Sequence, residues 1–210
     1  MARPKVRDDV ALMDGYHSPQ VDVRVRLNTN EAPDAPPEAF VDALAVAMRG
    51  IAWNRYPDRG ATALRARIAE VEGPEVPAGI TASNVFVANG SNEVLQTICL
   101  AYGGAGRTVL THEPTYALHS HIARVCGTGV VEGGRQDDFT LDVASVISSI
   151  RTVRPAVTFL CSPNNPTGAV YPPETIHAFY ELAKKHGIAL LLDETYKDFL
   201  PEGERPHDLF

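Results

Sequence analysis

The chain is short of cysteine, of long apolar runs and of positive charge, and each shortage removes a class of function. Only three cysteines occur in 210 residues, Cys99, Cys126 and Cys161. They form no C-x-x-C pair and no even framework, and each lies in an apolar stretch. They therefore read as buried, reduced packing residues and not as a disulfide scaffold. That usage suits a cytoplasmic protein. No apolar run approaches the ~20 residues of a membrane span, and the segment from Met1 to Asp9 lacks the apolar core of a signal peptide. The net charge of −7 argues against a broad nucleic-acid surface or an anionic-membrane surface. A local anion site stays open, because backbone N–H groups can hold phosphate without a basic side chain. With 44% hydrophobic and 21% charged residues, the class is ordinary globular.

What is present divides into three segments. Residues 1–37 carry no strong period and are rich in Pro, Asp and Asn, so they read as an extended arm. Residues 38–80 hold two helical patterns, one with Phe40, Val41, Leu44 and Met48 on a face, the other with Leu64, Ile68 and Val71 at i, i+4 and i+7. Between them Asn54-Arg-Tyr-Pro-Asp58 reads as a loop. Arg65 and Arg67 fall on the polar side of the second pattern and are expected to be solvated. From residue 81 the texture alternates. Strands are expected at Val85–Ala88, Thr108–Thr111, Gly129–Glu132, Ala156–Cys161 and Ile188–Leu192. Helices are expected from Ser91 (as its cap) to Tyr102, at 115–126, at 142–150, and from Pro173 to Gly187. Short apolar strands separated by helices predict an α/β fold, a mostly parallel sheet with helices on both faces.

In such sheets ligands bind beyond the carboxyl ends of the strands, and the polar clusters fall there. Asp193 ends the last strand. It reads either as a partly exposed strand-end acid or as the counter-charge of a protonated ring nitrogen, which a pyridine cofactor needs to act as an electron sink. Tyr196 is either a half-buried aromatic or a phenol aimed at the same ligand. Asn165, in Ser162-Pro-Asn-Asn-Pro-Thr-Gly168, is either a turn residue or a rigid amide beside a pyridine ring. Asn89-Gly90-Ser91-Asn92-Glu93 is either a plain N-cap or a phosphate-binding helix start. Tyr116, after Glu113-Pro114-Thr115, either stacks on a flat ring or fills a core. His119 and His121 point apart on a helix and read as a surface or packing pair.

Taken together these segments resemble the class I/II aminotransferases of the aspartate-aminotransferase fold, also called fold type I of the pyridoxal-phosphate transferases. The resemblance runs in order through nearly all 210 residues, from Arg26-Leu-Asn-Thr-Asn-Glu-Ala-Pro33 to Asp193-Glu-Thr-Tyr196. The arm and the Arg55-Tyr-Pro-Asp58 loop favour the histidinol-phosphate branch. The resemblance implies that 1–37 is an N-terminal arm, 38–80 part of a small domain and its connection, and 81–210 an incomplete pyridoxal-phosphate-binding large domain. Gly90, Ser91 and Asn92 would hold the cofactor phosphate. Tyr116 would stack on the ring, Asn165 and Tyr196 would bond its phenolic oxygen, and Asp193 would bond its nitrogen. Tyr56 would reach the cofactor phosphate of a neighbouring subunit, which implies a homodimer, and Asn30 would line the substrate entrance. The implied reaction moves an amino group between L-glutamate and imidazole-acetol phosphate, giving 2-oxoglutarate and histidinol phosphate.

Two departures stand out. The arm reads Asn-Glu-Ala-Pro where many relatives have Asn-Glu-Asn-Pro. The family's Schiff-base lysine lies in a Ser-x-x-Lys element one strand further on, and none of the chain's four lysines, Lys5, Lys184, Lys185 and Lys197, fits that element. The chain is therefore expected to be truncated before it. The family's strand order also puts absent strands between Val85–Ala88 and Ile188–Leu192, so uncovered strand edges and apolar faces are expected.

Overall fold

The computed structural model describes residues 4–15, 19–76 and 78–201. Parts of the expected arm and of the last segment, residues 1–3, 16–18 and 202–210, lie outside them. Two compact units emerge, one of residues 14–62 and one of the remainder.

The larger unit is built on four parallel strands: β1 (Thr108–Glu113), β2 (Gly129–Gly134), β3 (Val157–Cys161) and β4 (Ala189–Asp193). Their order is β2-β1-β3-β4. The register pairs Thr108 with Gly129, Val109 with Val157, and Cys161 with Asp193. The helices are α1 (Asp8–Ala11), α3 (Thr62–Glu72), α4 (Gly90–Tyr102), α5 (Leu118–Val125), α6 (Val143–Val153) and α7 (Pro173–His186), while α2 (Glu38–Arg49) belongs to the smaller unit.

Alternation along the strands supplies two cores. Val109, Val157 and Phe159 face one way, onto Leu95 and Cys99 of α4 and Ala123 of α5. Leu110 and Leu160 face the other way, onto Val146 and Ile150 of α6 and Ile176, Phe179 and Ala183 of α7. The expected parallel sheet with helices on both faces is met. At the end of α7, Gly187 adopts φ 65 and ψ 35, and its N–H bonds the carbonyls of Ala183 and Lys184. This is a left-handed cap that favours glycine.

Several expectations are corrected. Val85–Ala88 is not a strand. Val85 is extended, but no neighbouring strand in the described residues offers a ladder, and Phe86 is exposed. A strand exists only through its hydrogen-bonded neighbour, and apolar alternation alone cannot supply one. Helix α4 starts at Gly90, with Asn89 and not Ser91 as its N-cap, because the Glu93 carboxylate accepts the Asn89 N–H at 2.6 Å and its side-chain amide at 2.8 Å. Helix α5 starts at Leu118 and not at residue 115, since Thr115 is held in a turn by Glu113. Arg65 is not solvated; its guanidinium donates to the Ala82 carbonyl at 2.5 Å and is part-buried. Arg67 is exposed, paired with Glu70 at 2.7 Å. On α4 the buried face is formed by Leu95 and Cys99, while Tyr102 at its end is exposed. Cys126 is half-buried, whereas Cys99 and Cys161 are buried as expected.

The arm contains a short helix that no period announced. Its stability comes from tertiary contacts, because Arg7 pairs with Asp9 at 2.7 Å and donates to the last carbonyls of α5, Val125 at 3.1 Å and Arg124 at 3.4 Å. A cation there also opposes the negative end of the helix dipole.

Two outcomes follow from the burial. Replacing Phe179, fully buried between α7 and the sheet, by alanine is expected to cost about 3–5 kcal/mol in chemical denaturation, and Leu100→Ala, at an exposed site, almost nothing. A loss under ~1 kcal/mol for Phe179→Ala would contradict the assigned core. His112 is buried with neither ring nitrogen bonded among the described residues. Burial, with the Arg135 charge adding to it, pushes His112 down from 6.5 to about 4. The native state thus disfavours its protonated form, so stability is complete above pH 6.5 and falls as pH drops from 6.5 toward 4, by about 3 kcal/mol in all. His112→Gln is expected to flatten that fall in melts across this window, and an unchanged slope would show that other groups cause it.

Candidate active site

A cavity of about 130 Å³ opens at the carboxyl ends of the strands, lined by Ser91, Tyr116, Cys161, Asn165, Asp193, Thr195 and Tyr196. Five of the residues singled out in the sequence therefore meet around one space. They come from four places: the start of α4, the β1–α5 loop, the loop after β3, and the end of β4 with the loop after it.

Asp193 closes β4, and its side chain is 9% exposed. Burial alone would raise its pKa. Hydrogen bonds from His119 and then from Thr195 outweigh that effect, and the carboxyl is held below its usual range. His119 Nε2 donates to Oδ2 at 3.0 Å. The Thr195 N–H and Oγ1 donate to Oδ1 at 3.1 and 2.7 Å. Three donors on two oxygens fix both the ionised state and the orientation of the carboxylate. His119 is itself fixed, stacked on Phe159 with ring centroids 5.0 Å apart and in edge contact with Tyr116 at 5.5 Å.

The other wall is the start of α4. Gly90 has φ +77, and a Cβ there would meet no heavy atom within 4 Å. The backbone is thus both left-handed and open. The first N–H groups of a helix have no acceptor inside it, so those of Ser91 and Asn92 offer an anion site strengthened by a 13-residue helix dipole. Asn92 also accepts the Tyr116 hydroxyl at 3.2 Å, which ties the aromatic to this wall. An acceptor carboxylate, a tyrosine ring and the N–H donors of a helix start in one place would fit a phosphorylated pyridinium.

Asn165 lines the cavity because its neighbour does not. Asn164 is buried, its amide engaged with Pro114, Thr115, Arg135 and Thr167. Tyr56 and Asn30 belong to the smaller unit and are not among the cavity residues. Gly90 and Asn92 flank the cavity wall without lining it. Of the lysines, Lys197 pairs with Glu72, Lys5 pairs with Asp8, and Lys184 and Lys185 sit in the last turn of α7; none lines the cavity.

His119, expected as one of a surface or packing pair, and Thr195, inside the Asp193–Tyr196 segment, were not expected to bond Asp193. A signal was there for His119, since it follows Tyr116 by three residues, and the turn in which the His119 N–H donates to the Tyr116 carbonyl at 3.0 Å brings the two rings together. It is buried, as a packing residue would be, but it also serves the carboxylate.

Residues 23–209 match the family described as aminotransferase class I and II. Similar proteins include the histidinol-phosphate aminotransferases of Frankia casuarinae, 46% identical over 94% of this chain and 51% of that protein, and of Thermobifida fusca, 42% identical over 94% and 53%. The chain spans about half the length of these curated relatives. Among solved structures, a Thermus thermophilus aspartate aminotransferase mutant superposes with a TM-score of 0.81 at 27% identity, over 97% of this chain and 54% of that one. The Sinorhizobium meliloti histidinol-phosphate aminotransferase, solved with pyridoxal-5'-phosphate, superposes at 0.73 and shares the fold at 22% identity, over 85% and 46%.

Removing the donors to Asp193 should let burial act alone. Thr195→Val and His119→Phe are each expected to raise the Asp193 pKa, read from the carboxyl carbon shift in an NMR titration. A value unmoved by either change would mean that these bonds do not hold the charge.

Proposed function

The chain belongs to the class I and II aminotransferase family, and we propose that it carries the cofactor-binding half of a pyridoxal-phosphate enzyme that transaminates histidinol phosphate with 2-oxoglutarate. The observation that carries this reading is Asp193, an ionised buried carboxylate at the cavity wall held by His119 and Thr195.

In this reading Gly90, Ser91 and Asn92 hold the cofactor phosphate, Ser91 and Asn92 by their backbone N–H groups and Ser91 also by its hydroxyl, while Gly90, whose own N–H bonds the Ala88 carbonyl, lets the backbone come close. Tyr116 stacks on the ring. Asn165 and Tyr196 bond the phenolic oxygen, and Asp193 keeps a proton on the ring nitrogen. When bound, pyridoxal phosphate supplies the electron sink that an amino-group transfer needs. The chain's own residues orient the ring, hydrogen-bond its phosphate and hold that one proton. Residues 81–210 form the cofactor domain, 38–80 part of the small domain, and 1–37 the arm. Tyr56 serves the cofactor phosphate of a second subunit in a homodimer, and Asn30 lines the substrate entrance. Similarity to the histidinol-phosphate aminotransferases supports the choice of substrate. The setting is cytoplasmic histidine biosynthesis; among the described residues no helix is long and apolar enough to cross a membrane.

One observation favours a second reading for the chain by itself, a cofactor-binding piece without turnover: no lysine lines the cavity. A different reaction on the same scaffold, threonine-phosphate-type decarboxylation or aromatic transamination, is the remaining alternative.

The chain is expected to bind pyridoxal phosphate reversibly, to release it on dialysis after borohydride, and to show no transaminase activity. Stoichiometric labelling of Lys197, with turnover abolished by Lys197→Ala, would contradict this. In a protein of the relatives' full length, turnover of histidinol phosphate is expected to exceed that of aromatic amino acids, and the reverse preference would reassign the substrate.

A further inference from the structure

Arg135 lies just beyond the end of β2 and does not line the cavity. Its guanidinium nevertheless gathers the loops that do. Nε donates to the carbonyls of His112 at 3.1 Å and Pro114 at 2.9 Å. Nη1 donates to the Phe139 carbonyl at 3.2 Å, and Nη2 to Asn164 Oδ1 at 2.8 Å. The charge sits 5.4 Å from the Tyr171 ring centroid, and no carboxylate pairs with it among the described residues. A cation spent on neutral oxygens in a planar fork is a geometric device more than an ion pair.

Asn164 completes it. Its Oδ1 also accepts the Thr115 hydroxyl at 2.7 Å, and its Nδ2 donates to the Pro114 carbonyl at 3.1 Å and to Thr167 Oγ1 at 2.8 Å. Its own backbone closes the loop, with the Gly168 N–H on the Asn164 carbonyl at 2.7 Å and the Asn164 N–H on the Ala169 carbonyl at 2.8 Å. The segment 113–116, which bears Tyr116, and the segment 162–168, which bears Asn165, are thereby joined through one buried amide and one guanidinium.

We propose that Arg135 is a positioning residue that, through Asn164, fixes the Tyr116 wall of the cavity relative to the Asn165 amide. Its link to the cofactor rests on the reading of the cavity as a pyridoxal-phosphate site; the clasp itself does not. Lysine keeps the charge but cannot bond four separated oxygens, so Arg135→Lys separates fork from charge.

The test compares Arg135→Ala, Arg135→Lys and the exposed control Arg151→Ala in two measurements on this chain. The first is amide hydrogen exchange without ligand. Thr115, Asn164 and Gly168 are expected to exchange about tenfold faster in both Arg135 variants, with the β3 amides unchanged. The second is the dissociation constant of pyridoxal phosphate, expected to rise about tenfold in both variants, the lower end of what outer-sphere partners cost in metal sites, and to stay the same in Arg151→Ala. Loop amides that keep their protection overturn the proposal. So does faster exchange spread evenly into β3, which would make Arg135 a general stabiliser, and so does full recovery in Arg135→Lys. If the unaltered chain binds no pyridoxal phosphate, the cofactor reading falls while the exchange measurement still decides the clasp.

Discussion

A carboxylate withdrawn from water at the end of β4 is the constraint on which the site depends. Burying an unpaired charge costs several kcal/mol, so Asp193 is tolerable only where donors meet it. The fold brings them from two directions. Thr195 lies two residues on and reaches back through its N–H and hydroxyl. His119 comes from α5, 74 residues away in sequence, and is braced by Phe159 in the neighbouring strand. The ladder that sets β4 beside β3 and the packing of α5 on the sheet thus together bring the donors to one acid. The result is an oriented negative charge in a cavity that Ser91, at the start of α4, also lines.

The loops between these walls follow a second rule. A loop at the end of a parallel sheet has no ladder to hold it, so its shape must come from side chains. Asn164 and Arg135 supply that here by satisfying carbonyls that would otherwise point into a dry interior. Once Asn164 is spent in this way, Asn165 is the neighbour left to line the cavity. The division of labour between two adjacent asparagines follows from which one the surrounding carbonyls consume.

The sheet and its covering helices were legible because apolar runs of four to six residues alternated with helical periods. Ser91, Tyr116, Asn165, Asp193 and Tyr196 were legible as a group because strand-end positions in such a sheet converge. What escaped depended on contacts between residues far apart in sequence. Val85–Ala88 has the composition of a strand, but pairing is a property of two segments. Arg65 looked solvated because its carbonyl partner, Ala82, lies 17 residues away. His119 and Arg135 carry no motif of their own, Thr195 lies in one without a role assigned to it, and each acquires its role only from the residue it touches. The helix near the N-terminus was invisible for the same reason, being held by the carbonyls at the end of α5.

In the proposed function Asp193 keeps a ring nitrogen protonated. The direct measurement is the ¹⁵N chemical shift of ring-labelled pyridoxal phosphate bound to the chain, at a pH above that at which the free ligand loses its ring proton. A protonated nitrogen is expected with the unaltered chain and an unprotonated one with Asp193→Asn at equal occupancy. An unprotonated nitrogen in the unaltered chain, or one indifferent to the substitution, would contradict it.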